Sequence, residues 1–392
     1  MNLSILHKDV QDFITKNLNA DITKLILKGS PFTAVSIQEI ANQIVSKKKS
    51  QFKLPTWFKA ENIYYPNKLN IEQTSSEITA KYKSEIVKGN VLIDLTGGFG
   101  VDCLAFSKQF KTVTHCEIDA VLSQIVAHNY QALEVNNITT VSGDGIHFLK
   151  NNNQQFDVIY IDPSRRDEVK KRVFLLQDCL PNLPENLKSL FKYSKMILVK
   201  TAPLLDITAA VNELNFVKEI HIIAVNNDVK EVLYLLEYNY TGEIQYKTIN
   251  FKKAIIETFD FIYKDEIANF SLPKKYLYEP NAAILKSGGF NAIATQLNMY
   301  KLHQHSHLYT TDVLLEFPGR RFKIAHTIPY NLKTLKRIIN TSKANISIRN
   351  FPESVAKIRQ RTKLKDGGDV YLFFTTNCNN EKVIVVCEKT LN

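Results

Sequence analysis

The sequence predicts an α/β fold built on a doubly wound parallel sheet, with a helical region before it and a small basic α/β domain after it. From Val91 onward, short β-rich runs alternate with helix-length segments, a pattern typical of parallel sheets with crossover helices. A last run at 232–238 follows the sixth strand too closely for a helical crossover. That strand should therefore be antiparallel.

Residues 1–88 are predicted to form a helical N-terminal region. Ser36 and Glu39 have the spacing of a capping box, which marks the start of a helix. Apolar residues then recur at helical intervals, at Ile37, Ile40, Ala41, Ile44 and Val45. The periodicity breaks before a second helical stretch at 75–87.

Residues 89–262 are predicted to form the sheet domain. Its candidate strands are VLIDL (91–95), THCEI (114–118), ITTVSGD (138–144), FDVIYID (156–162), KMILVKT (195–201), EIHIIAV (219–225) and VLYLLEY (232–238). The segments between the first six strands are long enough for crossover helices, so the strands should lie parallel.

The last part of the chain is predicted to contain a connector or small subdomain at 263–320 and a compact domain at 321–392. In the second of these, two helices and four strands suggest a β-α-β-α-β-β unit. On the first helix of this unit, the basic residues lie away from the apolar face. They are Lys333, Lys336 and Arg337.

Length and composition exclude several classes of protein. With 392 residues, 44% of them hydrophobic and 23% charged, the chain should form two or three globular domains. No apolar run has the length of a signal peptide or a membrane span. Five scattered cysteines without a CxxC pair suit free thiols. We therefore expect a cytoplasmic protein without a membrane segment.

The positive charge is concentrated near the C-terminus. The whole chain carries a formal net charge of +11, and residues 301–392 hold 16 Lys and Arg against 7 Asp and Glu, a net of +9. Such an excess in one segment is typical of nucleic-acid-binding modules. A solvated basic surface is an equally good interpretation of the charge alone.

The most specific motif is DLTGGFGVD at 94–102, between a predicted strand and a predicted helix. Gly97, Gly98 and Gly100 permit a tight turn and let a ligand approach the backbone. This arrangement favours a nucleotide-like ligand, although glycines also simply make turns.

Acidic residues at the ends of the strands narrow the choice of ligand. Asp94 precedes the glycines, Glu117 ends the second strand and Asp144 ends the third. An acid at Glu117 suits ribose hydroxyls, also in NAD-binding folds. However, the glycines follow GGxG spacing instead of GxGxxG, and Asp94 would repel a pyrophosphate while attracting a sulfonium cation. The pattern favours S-adenosylmethionine over NAD.

These residues resemble the Rossmann-like class I methyltransferase family over roughly 72–262. The resemblance implies that S-adenosyl-L-methionine is the cofactor and that six residues hold it: Asp94, Gly97, Gly98, Gly100, Glu117 and Asp144. It also implies that the last strand is inserted antiparallel before its neighbour. Glu117 would hold the ribose and Asp144 the adenine amine.

The sequence DPSRR at 162–166 is similar to the D/N-P-P-Y/F/W motif of nucleic-acid and protein N-methyltransferases. The resemblance implies that Asp162, helped by Pro163, accepts a hydrogen bond from the target amine. Ser164 replaces the second proline and Arg165 replaces the stacking aromatic residue. Arg165 and Arg166 are candidates for binding phosphate, and Tyr160 and Phe174 are candidates for another stacking platform.

The C-terminal domain resembles the THUMP-like domain of a bacterial methyltransferase family. EQTSSEITAKYKS at 72–84 and YEPNAAILKSG at 278–288 resemble blocks of the same family. The resemblance implies that the C-terminal domain binds RNA, with Lys333, Lys336 and Arg337 as candidate contacts. Position and length differ from those of THUMP domains proper, so this is an analogy of fold.

No metal site is predicted. Three histidines alternate in LHQHSHL, at His303, His305 and His307, which on a strand would place them on one side. No carboxylate or cysteine lies alongside to complete a zinc site, so a polar loop is the preferred interpretation. No histidine is paired with a nucleophile in a way that predicts a hydrolase.

Together, these observations predict a cytoplasmic S-adenosylmethionine-dependent methyltransferase that acts on a base nitrogen in tRNA or rRNA. Two alternatives stay open. The acceptor could be a small molecule or a protein, or the chain could be an RNA-binding protein with a vestigial cofactor pocket. The oligomeric state and the modified nucleotide are not predicted.

Overall fold

The computed structural model describes residues 1–165 and 175–390. The chain divides into two compact units. The first unit contains residues 1–217 and 234–241, and the second contains residues 218–233 and those from 242 onward. In the described part of the chain, every helix is too short or too polar to serve as a membrane span.

The first unit begins with a helical region, as predicted. After a 3₁₀ turn at Leu3–Leu6, the helices are α1 (Lys8–Lys16), α2 (Ile22–Lys28), α3 (Ile37–Lys53), α4 (Pro55–Lys59), α5 (Lys68–Gln73) and α6 (Glu77–Ile86). The predicted capping box is present, since Ser36 Oγ accepts from Glu39 N at 3.3 Å and the Glu39 carboxylate accepts from Ser36 N at 2.8 Å. Ile40 and Ile44 of α3 are fully buried.

The parallel sheet of the first unit follows directly. Its elements are β1 (Val91–Asp94), α7 (Val101–Ser107), β2 (Thr112–Glu117), α8 (Ala120–Ala132), β3 (Ile138–Ser142), α9 (Gly145–Asn152), β4 (Val158–Ile161), β5 (Ser164–Arg165), β6 (Cys179–Leu180), α10 (Leu183–Leu190), β7 (Met196–Thr201) and α11 (Ile207–Glu213). The order β7-β4-β1-β2-β3 is parallel throughout. The carboxyl ends of these five strands therefore share one edge.

A hairpin confirms the predicted antiparallel strand. It joins β8 (Val217–Val225) to β9 (Asp228–Glu237) through Asn226 and Asn227, whose φ values are +51° and +64°. Two positive φ values are characteristic of the type I′ turn that joins antiparallel neighbours. In strand order, β9 stands between β8 and β7, so the last predicted strand is inserted before its neighbour.

Two further strands of the second unit were not predicted. The strand β10 (Gln245–Phe251) pairs parallel with β8, and β11 (Ile256–Ile262) pairs antiparallel with β10. Buried and exposed residues alternate along β11. This period of two is a strand signal that the sequence carries at Glu257, Phe259 and Phe261.

The rest of the second unit is a seven-stranded sheet with four helices. Its elements are β12 (Tyr276–Pro280), α12 (Ala282–Ser287), α13 (Phe290–Gln296), β13 (Tyr300–Lys301), β14 (Tyr309–Thr311), β15 (Gly319–Pro329), α14 (Leu332–Ile338), β16 (Asn345–Arg349), α15 (Val355–Thr362), β17 (Val370–Thr376) and β18 (Lys382–Lys389). The strand order is β13-β14-β12-β15-β18-β17-β16. The predicted β-α-β-α-β-β unit is thus confirmed from β15 to β18.

Alternating residues of β17 contribute to different apolar clusters in the second unit. Phe374 belongs to a cluster with Leu335 of α14 and Ile358 of α15. Phe373 belongs to a second cluster with Leu277 of β12. Because successive side chains of a strand point to opposite faces, both faces of this sheet are covered.

Candidate functional site

The glycine-rich loop between β1 and α7 needs its three glycines for different reasons. Gly98 and Gly100 have φ values of +55° and +80°, a region that residues with a Cβ rarely adopt. Gly97 has no such backbone constraint. A Cβ there would lie 2.2 Å from Nε2 of His115, so the close approach of a neighbouring side chain requires glycine.

Two buried side chains contact the carbonyl groups of this loop. Nε2 of His115 lies 3.2 Å from the oxygen of Gly98, and the Tyr130 hydroxyl donates to the oxygen of Gly100 at 2.9 Å. The two rings contact each other edge to face. Burial lowers the pKa of His115 to about 4, so the ring is neutral at neutral pH and its Nε2–H donates to Gly98.

Sequence reasoning missed both of these residues. His115 lies on β2, and Tyr130 lies on the buried face of α8. A single polar residue in a buried strand has no periodic signature, because its partner is distant in sequence. The only signal is the histidine in an otherwise strand-forming run at 112–117.

The buried carboxylate of Asp94 supports the glycine-rich loop through hydrogen bonds. Its Oδ1 accepts from the Thr96 amide at 2.9 Å, and the Cys103 thiol donates to Oδ2 at 3.3 Å. The residue is only 1% exposed. Burial raises the pKa of Asp94 to about 7. In this structure, Asp94 therefore contacts its own loop and the first turn of α7.

Glu117 and Asp144 lie at the same edge of the sheet. Oε2 of Glu117 accepts from the Gly98 amide at 2.9 Å, and Oε1 accepts from the Asp119 amide at 2.8 Å. Asp144 is exposed and caps α9 by accepting from the His147 amide at 2.8 Å. Glu117 is thus tied directly to the glycine-rich loop, while Asp144 is held on the adjacent loop.

Asp162 and Pro163 follow β4, next to the glycine-rich loop. The Asp162 amide donates to Thr96 Oγ1 at 2.7 Å. Its carboxylate forms an ion pair with Lys200 at the end of β7, while Pro163 is buried. Sequence reasoning missed Lys200, although a lysine inside the apolar run ILVKT is an indication. The ion pair sets the direction of the predicted acceptor carboxylate.

The other residues with predicted roles around the DPSRR motif are either outside the described structure or inaccessible. Arg166, Phe174 and the Arg165 side chain lie outside the described part of the structure, so their predicted roles stay predictions. The prediction that Tyr160 could stack on a substrate is wrong. Its side chain is 1% exposed and its hydroxyl donates to Asp102 at 2.8 Å, so the ring is inaccessible.

A buried ion network lies behind the start of α7. The Lys83 ammonium is 3.2 Å from Oδ1 of Asp102 and donates to Ser75 Oγ at 2.9 Å, and Ser75 in turn donates to Oδ2 of Asp102 at 2.8 Å. Lys83 has no exposed surface. Burial opposes the ionisation of Asp102, but Lys83 and Lys200 hold its pKa below the usual range.

This network gives a structural role to the block at 72–84. Ser75 precedes α6 and Lys83 lies within it, whereas Asp102 is the last residue of the glycine-rich motif. Helix α6, which contains Lys83, is in extensive contact with helix α7, which contains Asp102. Residues 72–84 therefore connect the N-terminal region to helix α7, which follows the glycine-rich loop.

A separate cavity of about 240 Å³ lies beside the N-terminus of α8 in the first unit. Its wall includes the carboxylates of Asp119 and Glu39. Asp119 caps α8 through the amides of Val121 and Leu122, and Glu39 completes the capping box of α3. Because these carboxylates serve helix ends, we assign no ligand to the cavity.

In the second unit, the predicted basic contacts lie on the surface. Lys333, Lys336 and Arg337 are exposed on α14, opposite the buried Leu335. No carboxylate of the described residues forms an ion pair with these three side chains. The arginines of α15 differ: Arg359 pairs with Asp366, and Arg361 pairs with Glu353.

The three alternating histidines occupy a turn and not a strand, so the preferred interpretation as a polar loop is confirmed. His303 is hydrogen bonded to the side chains of Asn350 and Asn380, each at 3.0 Å. His307 stacks on Phe290 with ring centroids 3.6 Å apart. Over residues 1–165 and 175–390, no group of three or more His, Cys, Asp or Glu side chains could hold a metal ion.

Three family models match the chain. The one described as conserved hypothetical protein 95 matches 61–225, a ferredoxin-like domain matches 276–318, and a THUMP domain-like model matches 319–389. A search of curated proteins finds no match.

Among solved structures, a candidate methyltransferase from Porphyromonas gingivalis is 30% identical, with a TM-score of 0.88. The match covers 99% of this chain and 98% of that one. An rRNA methylase from Streptococcus thermophilus is 13% identical, with 41% and 93% coverage and a TM-score of 0.30. A candidate methyltransferase from Streptococcus mutans, solved with SAH, is 12% identical, with 41% and 97% coverage and a TM-score of 0.30.

Proposed function

The chain belongs to the methyltransferase family that includes the Porphyromonas gingivalis protein, and from this premise we propose that it transfers methyl groups from S-adenosylmethionine to a nitrogen of an RNA base. One observation carries the proposal. The glycine-rich loop, Glu117 and Asp162 are linked by hydrogen bonds at one edge of the parallel sheet. Ligands of open α/β sheets bind at the carboxyl ends of the strands.

The residues at this edge fit the proposed cofactor. Glu117 would hold the ribose hydroxyls, Asp144 the adenine amine, and the backbone at Gly97 and Gly98 the rest of the nucleoside. The cofactor supplies a methyl group on a positively charged sulfur. Asp94 is buried beneath the loop, and its ionised form would attract this cation and repel a pyrophosphate. Burial raises the pKa of Asp94 to about 7, so this preference strengthens as the pH rises above 7, whereas the GGxG spacing of the glycines favours S-adenosylmethionine over NAD at any pH.

Asp162 is the proposed acceptor of a hydrogen bond from the target amine. Its backbone is held by Thr96 and its carboxylate by Lys200, so the side chain has one defined direction. Methyl transfer is an in-line displacement whose rate depends mainly on the alignment of the reacting atoms. A fixed carboxylate supplies that alignment by holding the amine with its lone pair toward the methyl group.

RNA is the proposed acceptor because of the second unit. Its C-terminal part matches a THUMP domain-like model, and THUMP domains present RNA to modifying enzymes. Lys333, Lys336 and Arg337 are exposed on α14. Clustered cations of this kind bind nucleic acid through its phosphates.

The proposal is tested by transfer of labelled methyl groups from S-adenosylmethionine to total RNA from cells lacking this gene, followed by digestion to nucleosides. We expect label in one nucleoside with the wild-type protein and a loss on the order of 100-fold with Asp162→Ala, which removes the acceptor oxygen. The control is Asp228→Ala, which removes an exposed carboxylate paired with Lys230 and should leave transfer unchanged.

Cofactor binding measured by calorimetry separates the ways in which the proposal can fail. Binding of S-adenosylmethionine without label in RNA would overturn the RNA assignment and favour a small-molecule or protein acceptor. Absence of both binding and transfer would overturn the cofactor assignment. It would leave an RNA-binding protein with a vestigial pocket as the alternative.

A further inference from the structure

We propose that Arg320 and Arg349 form a phosphate-binding site in the second unit, organised by the buried carboxylate of Glu279. The ligand is a phosphate group of bound RNA, an identification that rests on the proposed function. Glu279 belongs to the block YEPNAAILKSG at 278–288, which contributes no residue to the proposed active site.

The geometry places one carboxylate between two guanidinium groups. Glu279 of β12 is paired in register with Arg320 of β15, whose Nε donates to Oε2 of Glu279 at 2.6 Å. Nη2 of Arg349, at the end of β16, lies 2.6 Å from Oε1. Each oxygen of the carboxylate is thus assigned to a different arginine.

Exposure distinguishes the carboxylate from its partners. The Glu279 side chain is 3% exposed, whereas those of Arg320 and Arg349 are 40% and 34% exposed. Because the charges sum to one excess positive charge, the group still favours an anion. Nε and Nη2 of Arg320 are directed at Glu279, and Nη2 also donates to Ser347 Oγ. Nη1 of Arg349 donates to the Ile348 oxygen. The exposed N–H groups that remain on the two guanidinium groups are the donors for a phosphate oxygen.

The surroundings of Arg349 add to the positive potential. Nε of Arg349 is buried and has no hydrogen-bond partner among the described residues. Burial lowers the pKa of His307 to about 4, assisted by the nearby charges of Lys301, His305 and Arg349. An anion at this position would offset the charges of Arg320, Arg349 and Lys301, which the buried carboxylate of Glu279 neutralises only in part.

The two arginines of α15 provide the contrast. Arg359 and Arg361 are each paired with one carboxylate, Asp366 and Glu353, so neither pair has an excess charge. Arg361 is 47% exposed, close to the exposure of Arg320. It is therefore a matched control for a test of binding.

The test measures binding of a fluorescent single-stranded RNA to the full chain by anisotropy over a series of salt concentrations. Arg320→Lys and Arg349→Lys keep the charge that Glu279 needs and remove the planar fork. We expect about 10-fold weaker binding for each, and less than a 2-fold change for Arg361→Lys. Arg320→Gln should also reduce the slope of log K against log salt by about 1.

Thermal melting of each variant identifies those that fail to fold, and the lysine variants are the decisive ones. If both lysine variants bind RNA with wild-type affinity, Arg320 and Arg349 do not form a phosphate-binding site. The proposed function is unaffected by that result. Titration with inorganic phosphate and with a nucleoside triphosphate distinguishes other sources of phosphate. If the wild type binds those ligands but no RNA, the RNA source is overturned together with the RNA acceptor of the proposed function.

Discussion

Each unit of this protein contains a carboxylate enclosed by cations, and the two sites differ mainly in solvent access. In the first unit, Asp102 is paired with Lys83, which has no exposed surface. In the second unit, Glu279 is paired with Arg320 and Arg349, which keep 40% and 34% of their side-chain surface exposed. The cation is an ammonium group in the first site and a pair of guanidinium groups in the second.

The difference shows how exposure decides what an ion pair can do. A sealed pair loses the hydration of both charges, and this loss is offset only by good geometry and added hydrogen bonds. Ser75 and Tyr160 supply such bonds to Asp102, so the network can hold the helix after the glycine-rich loop. An open pair keeps donors available to solvent or to a ligand.

The largest expected effect on stability comes from breaking the buried ion pair between Lys83 and Asp102. Lys83→Met removes the ammonium group that contacts Asp102 and leaves only the charge of Lys200 acting on the buried carboxylate, so we expect the free energy of unfolding to fall by about 3–5 kcal/mol. Urea denaturation measures it. The control is Lys81→Met, an exposed residue on the same helix, with an expected change below about 0.5 kcal/mol. An equal decrease in the free energy of unfolding in Lys83→Met and Lys81→Met would show that burial of Lys83 does not increase its contribution to stability.

The stability of the buried region around His115 should also depend on pH. His115 has a pKa of about 4 in the folded protein, whereas an exposed histidine of the unfolded chain has its ordinary pKa of 6.5, so the unfolded chain takes up the proton first. The free energy of unfolding should therefore fall by about 3 kcal/mol as the pH decreases from 7 to 4 because of this group. His115→Gln should remove that part of the pH dependence. An unchanged pH profile in the variant would contradict the assignment.

A smaller effect is expected from crowding the loop itself. In Gly97→Ala the new methyl group would lie 2.2 Å from His115 Nε2, so we expect about 1–3 kcal/mol of destabilisation and weaker binding of S-adenosylmethionine. The double variant Gly97→Ala/His115→Ala makes room for the methyl group. Strict additivity of the two single effects in this cycle would show that the contact does not couple them.

The smallest effect is expected at an exposed pair of the second unit. Arg361→Gln removes the ion pair with Glu353, where the arginine side chain is 47% exposed. Exposed pairs contribute about 0–1 kcal/mol, so thermal melting should change little. A loss of several kcal/mol would mean that solvent exposure does not determine how much an ion pair contributes to the stability of this protein.

Much of the fold could be predicted because its signals are local. The capping box at Ser36, the alternation of strands and helices from Val91 and the short turn before β9 each involve neighbouring residues. The edge of the sheet was predictable for the same reason, since Glu117 and Asp162 each follow a recognisable strand. The strands β10 and β11 were missed although β11 alternates with period two, because no motif drew attention to them.

The sequence by itself determined the α/β plan, the tight glycine-rich turn after β1 and the acids at the strand ends, because local geometry and periodicity specify them. Only the tertiary structure decided that His115 and Tyr130 support the loop, that Lys83 is sealed against Asp102 and that Glu279 holds two arginines. Those pairings join residues distant in sequence. Their energies depend on burial, which becomes defined only when the chain has packed.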